Sequence, residues 1–272
     1  MKFFSRFERN KSSNNAPENI NPPTLDEIAA LEISKAADFA AESEKNFNKI
    51  GENLDCPEDQ KLGMSAALTE LFVTSRKNMA ENPNIWESGR GGVKESFDMP
   101  HHISKDSAAY YECGGIFDAI NTLVNDYAHG YENGASSLID KSMLVREAIA
   151  PMIGKAELSD EQIQDIEASV ADNLTGAMEE YRPGIAHMIT LLAQELRQIE
   201  VDHPAVYDPD TLHVRPTDEF EPDKVSRQQQ VFLKQKAADD FLIKTISRLA
   251  TKDDSFSTVA STLYDEAERR GY

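Results

Sequence analysis

The sequence predicts an all-α protein, a multi-helix bundle of about eight helices with two long irregular connectors. Three observations carry that expectation. Apolar residues recur at steps of three and four in every ordered stretch, and no stretch sustains the two-residue alternation of a half-buried strand. Capping residues, prolines and glycines punctuate these stretches at ordinary helix lengths.

Residues 1–23 read as a flexible N-terminal arm. Phe3, Phe4 and Phe7 stand among Lys2, Arg6, Arg9 and Lys11, a short basic-aromatic patch on an otherwise acidic chain. Ser12 to Pro23 is rich in Asn, Ser and Pro and has the composition of a linker. The patch is a docking peptide, a weak membrane-surface contact, or an arm that folds back on its own acidic body.

A helical hairpin is expected over residues 24–82. Thr24 and Glu27 form a capping-box pair, and the first helix turns Ile28, Ala36, Phe39, Ala40, Phe47 and Ile50 inward before Gly51. Pro57 opens the second, with Leu62, Met64, Leu68, Leu71, Phe72 and Met79 as its stripe and Asn82-Pro83 as its end. Residues 83–105 form the first long connector, which carries the sole tryptophan, Trp86. Its Gly89-Arg90-Gly91-Gly92 run could cradle an anion with backbone amides, but it lacks the strand, spacing and Lys-Ser/Thr ending of a P-loop. Trp86 pinning a connector is the plainer reading.

Residues 106–203 read as a central four-helix bundle. Cys113, Ile116, Phe117, Ile120, Leu123, Val124 and Tyr127 form one stripe, and Leu138, Val145, Ile149 and Met152 the next. Ser159 with Gln162 caps a third helix, whose stripe runs Ile163, Ile166, Val170, Leu174, Met178, Tyr181. Pro183 suits the first turn of a fourth, where Ile185, Met188, Ile189, Leu192, Leu196 and Ile199 face inward until Pro204. Residues 204–222 form a proline-rich acidic strap, extended and semi-rigid. A C-terminal helical pair fills residues 223–272, with Val231, Ala238, Leu242, Ile246 and Leu249 inward on one helix and Phe256, Val259, Leu263 and Ala267 on the other.

Charge bounds the function. A net charge of −20 argues against a nucleic-acid binder, because neutralising phosphates takes clustered Lys and Arg. It equally disfavours adsorption to anionic lipid, and no apolar run approaches the roughly 20 residues of a membrane span. The basic start lacks the apolar region and cleavage site of a signal peptide. Cys56 and Cys113 form no paired motif, so neither a disulfide framework nor a zinc site is expected, and a cytoplasmic location fits.

Catalytic patterns are incomplete. Glu200-x-x-His203 places two ligands on one helix face, as di-iron bundles do, but a full site needs a second such pair and two further glutamates. Asp126, His129, Glu132, Glu112 and Glu195 are partial substitutes, while His129 and His203 are also what a helix C-terminus favours. His101-His102 with Asp106 lacks the second histidine-aspartate group of a helical phosphohydrolase. Cys113 lies on an apolar stripe, and His187 reads as a boundary residue. No cofactor is expected.

The most unusual surface is acidic. Glu157, Asp160, Glu161, Asp165, Glu167, Asp172, Glu179 and Glu180 run along one segment with almost no basic compensation. Carboxylates help a helix N-terminus but cost stability near its end, which is where Glu179 and Glu180 would fall beside Tyr181. Asp165, Asp172 and Glu179 are therefore candidate contacts to a basic partner protein, with Trp86 and the aromatic arm as further candidates. The expectation is a non-catalytic adaptor or accessory subunit within a larger bacterial assembly, such as a secretion or recruitment complex. Two alternatives stand beside it: a metal-dependent helical enzyme, and a secreted effector. For the latter, the small-polar and acidic tail Ser255 to Glu268 resembles the C-terminal signals of type IV secretion substrates.

Overall fold

The structure, a computed structural model, describes residues 41–42, 44–81, 105–128, 137–153, 157–203, 207–208, 213–214, 227–249 and 255–272. All packing below lies within the compact unit Ser43–Tyr272. Residues 44–51 are helical, and Ile50 at their end is fully buried. The other helices among the described residues are α1 (Glu58–Glu81), α2 (Lys105–Tyr127), α3 (Ser137–Ile153), α4 (Asp160–Asn173), α5 (Arg182–Asp202), α6 (Arg227–Leu249) and α7 (Ser255–Arg269). The fold is all-α.

The helices begin where local chemistry tells them to. α1 follows Pro57 directly, with Glu58 and Asp59 at its positive end. α4 carries the complete capping box: Ser159 Oγ accepts from the Gln162 amide, and Gln162 Oε1 accepts from the Ser159 amide at 2.9 Å. These two bonds satisfy donors that the first helical turn leaves orphaned. α5 has Pro183 in its first turn and ends at His203, whose amide donates to the Ile199 carbonyl.

α5 is the hub. It packs against α1, α2, α3 and α4. Ile185, Met188, Ile189, Leu192 and Leu196 are fully buried, and Ala186 and Ala193 widen the stripe. Burying five such side chains is worth on the order of 10 kcal/mol before chain entropy is subtracted. The remaining close pairs are α2 with α6, α3 with α4, and α1 with α7.

Two crossings are glycine contacts. A Cβ on Gly63 of α1 would fall 2.7 Å from Gly184 Cα, and one on Gly184 would fall 2.0 Å from the Gln60 carbonyl oxygen. On α2, a Cβ on Gly115 would sit 2.3 Å from the Lys234 carbonyl of α6. Backbone touches backbone at both places, so these residues set the interhelix distances.

The third central helix is shorter than its stripe implies. α4 stops at Asn173; Leu174 drops into the core with its amide bonded to Ala171 O, and the Gly176 amide donates to Tyr127 O at the end of α2. That tie to α2 draws the chain out of its helical path. Met178, expected inward, is therefore 57% exposed, and Glu179–Tyr181 form a 3-10 turn leading into α5.

Smaller departures lie at the C-terminal side. α6 adds Phe241 and Thr245 to the buried face that Leu242 and Ile246 foretell. Phe256 of α7 stands one turn ahead of the first buried position, Val259, where the packed surface ends, and is 37% exposed. Within the strap, Tyr207–Asp208 and His213–Val214 pair as a two-residue antiparallel ladder, with Tyr207 opposite Val214. Two residues per strand leave the all-α class intact.

Candidate functional site

The acidic face is carried by α4 and the turn before α5. Asp160, Glu161, Asp165, Asp172, Glu179 and Glu180 are all exposed, and none makes an ion pair with a Lys or Arg among the described residues. The end of α4 at Asn173 changes their energetics. Glu179 and Glu180 precede α5, so they face a positive helix end and need no external compensation. The local cost instead falls on Asp172, in the last turn of α4, which contains no basic residue.

Glu167 leaves this face. Its side chain is 19% exposed and turns inward, where Oε2 lies 3.0 Å from His187 Nδ1 of α5 and accepts from Thr190 Oγ1 at 3.2 Å. Its Oε1 accepts from Gln60 Nε2 of α1 at 3.0 Å. One carboxylate thus ties α4 to both α5 and α1. The boundary residue His187 has a defined partner, which places the ring proton on Nδ1 and makes the pair a structural cross-link.

Two of the carboxylates weighed as metal ligands are paired with a cation, and Glu132 lies outside the described residues. Glu112 and Glu195 come together, but Lys244 of α6 lies between them, its Nζ 3.8 Å and 3.7 Å from their carboxylates. Among the described residues no three His, Cys, Asp or Glu side chains gather as a metal site would require. Cys113 is fully buried, and burial, helped by Glu112, pushes its thiol up to about 12. Such a thiol holds almost no nucleophilic thiolate near neutrality. No helix among the described residues is long and apolar enough to cross a membrane.

A buried ionic cluster closes the C-terminal end. Glu266 of α7 has no exposed surface and accepts from Asn46 Nδ2 at 2.9 Å, Arg269 Nε at 2.7 Å and Arg270 Nε at 2.8 Å. Arg270 also reaches Glu70 of α1 at 3.6 Å, and Glu70 accepts from Thr74 at 3.0 Å. Burial raises the Glu266 carboxyl, but the hydrogen bonds from Arg269, Arg270 and Asn46 together outweigh it and hold the group below its usual range. The tail that resembles an export signal is, in this fold, a packed helix with Val259, Leu263 and Ala267 buried.

α1, α2 and α6 also enclose a cleft of about 170 Å³. Leu71, Ala119, Phe241 and Leu242 form its buried lining. Thr74, Thr122, Asp118, Lys234 and Gln235 form its half-open rim, and Gln235 Nε2 donates to Ser75 Oγ across it.

Comparison with protein-family models, with curated proteins and with solved structures finds no match.

Trp86, Phe3, Phe4 and Phe7, the Gly89–Gly92 run, His101, His102 and His129 lie outside the described residues. Asp165, Asp172 and Glu179 share the exposed acidic segment, with Glu179 beyond the helix that holds the other two. Sequence reasoning missed the cleft and both polar cross-links. The signals available were Gly114-Gly115 inside an amphipathic stripe and Glu266 on the apolar face of α7.

Proposed function

We propose that the protein is a non-catalytic helical adaptor or accessory subunit of a larger assembly, and that it binds a partner protein with a basic surface through α4 and the turn leading into α5. The observation that carries this reading is Asp172. It sits in the last turn of α4, which holds no basic residue, and makes no ion pair among the described residues, at a local cost of about 0.3–1 kcal/mol. Asp165 extends the same unneutralised charge without a structural role of its own, in contrast to Glu167, which the fold uses, and Glu179, ahead of α5, adds its charge to the same exposed segment. A face built only for solubility could interleave lysines and avoid the repulsion. Complementary charge would speed association more than it would tighten the complex.

The test is a paired capture experiment. Wild-type protein and the variant carrying Asp165→Lys, Asp172→Lys and Glu179→Lys serve as baits in native extract, and recovered proteins are quantified by mass spectrometry. The reading expects a basic partner that the reversed bait loses. With that partner purified, association should slow several-fold at low salt, where the Debye length exceeds about 10 Å. Equal recovery and equal rates on both baits would reduce the acidic segment to a solvated surface.

A further inference from the structure

The cleft between α1, α2 and α6 is a separate feature, independent of the acidic face. Helical cores are close-packed, so a persistent void has to have a cause. Here it is the run of small residues: Gly115 and Ala119 on α2 face Ala238 on α6, and the backbone contact at Gly115 sets how closely these helices approach. The volume of about 170 Å³ would hold roughly six waters at liquid density. That is metabolite scale, below the range typical of drug-sized ligands.

Its chemistry is two-sided. The floor, formed by Leu71, Phe241 and Leu242, offers hydrocarbon. The rim offers one carboxylate and one ammonium, Asp118 Oδ2 and Lys234 Nζ, 3.9 Å apart. At that distance the two charges are loosely paired, and neither makes a hydrogen bond at its charged end to a described residue. The Asp118 carboxylate is 66% exposed and the Lys234 side chain 36%, so both charged ends can be reached by a ligand entering from solvent.

We infer that this cleft binds a small zwitterion of the free α-amino-acid class, its ammonium on Asp118, its carboxylate on Lys234 and its apolar side chain on the floor. A phosphate ester fits poorly, since one lysine beside a carboxylate gives no net positive field. A plain hydrocarbon would leave both rim charges unanswered. Thr122, whose hydroxyl donates to the Asp118 carbonyl, keeps its oxygen lone pairs at the rim as acceptors for the ligand ammonium.

The experiment is calorimetric titration of the full chain with L-valine, L-leucine and L-methionine. The comparison ligands are 3-methylbutylamine, which lacks the carboxylate, and 4-methylpentanoate, which lacks the ammonium. At least one amino acid should bind saturably, one per chain, with a Kd on the order of 1 mM or below. Both comparison ligands should bind about tenfold more weakly. Asp118→Asn and Lys234→Met alter groups at the half-open rim, so the helical spectrum and melting temperature should be preserved while amino-acid affinity falls about tenfold in each. Absence of saturable binding by all three amino acids at about 10 mM would overturn the inference. So would binding that persists undiminished in both variants.

Discussion

Gly63 of α1 and Gly184 of α5 meet backbone to backbone, each occupying the space that a side chain on the other would need. A methyl on Gly184 would press to 2.0 Å from Gln60 O and 2.4 Å from Met64 N, and one on Gly63 to 2.0 Å from Tyr181 O. Both obstacles are main chain, so no rotamer change relieves them. Gly184→Ala and Gly63→Ala should each force the hub helix away from α1 and cost about 3 kcal/mol, the upper part of the overpacking range. Thermal unfolding should show a drop of roughly 6–12 °C for either variant. A drop of less than about 2 °C would mean that the two helices do not cross here.

Glu266 links stability to pH. Its folded pKa lies below its unfolded value, so its contribution is fully present above the unfolded pKa, near the ordinary 4.5. It is lost as pH falls through the folded pKa. Glu266→Gln leaves Arg269 and Arg270 without their buried counter-charge and should cost about 3 kcal/mol at pH 7. The difference in melting temperature between wild type and variant should shrink as pH is lowered below about 4.5. A difference that stays constant down to pH 3 would show that the carboxylate's charge is not what holds α7.

Glu167 joins three helices through one carboxylate, so its loss should exceed that of a surface acid. Glu167→Ala strands the Gln60 amide and the His187 ring N–H, while Thr190 keeps its bond to the His187 carbonyl, and should cost about 1–3 kcal/mol. Asp165→Ala, on the exposed side of the same helix, should stay within about 0.5 kcal/mol of wild type. Denaturant titration of the two variants side by side separates a cross-link from a solvated charge.

The helices themselves were legible because their stripes and caps are local. Ile185 to Ile199 on α5 and the Ser159–Gln162 box follow from spacing and side-chain type alone. The end of α4 was not, because it depends on the Gly176 amide finding Tyr127 O, a contact between segments that spacing cannot reveal. The same holds for Glu167, which looks like one acid among eight until α1 and α5 stand beside it. The cleft is a negative feature, made by what Gly115 and Ala119 lack, and periodicity registers only side chains that are present.

The two cysteines should differ in reactivity for reasons visible in their surroundings. Burial drives the Cys113 thiol up to about 12, so at pH 8 its thiolate is on the order of a thousandfold scarcer than that of a free cysteine. Cys56 is half-buried and is also raised, mainly by burial, with Lys61 opposing. Iodoacetamide should therefore modify Cys56 slowly in the native protein and reach Cys113 only on unfolding, as peptide mass spectrometry would show. Rapid native labelling of Cys113 would contradict the packing of α2.

Asp172 allows stability and binding to be separated. Its carboxylate lies at the negative end of α4, within a final turn that holds no basic residue, and makes no ion pair among the described residues. Replacing it by lysine converts an unfavourable charge–dipole contact into a favourable one, a gain of about 0.5–1 kcal/mol. Asp172→Lys should thus melt roughly 1–4 °C above wild type at low ionic strength, with the gain fading as salt is added. The same substitution removes charge from the proposed docking face, so association with a basic partner should slow. A residue that weakens its own helix while strengthening a contact elsewhere has this signature of rising stability and falling association. If Asp172→Lys melts below wild type, the aspartate is serving the fold, and the adaptor reading loses the observation on which it rests.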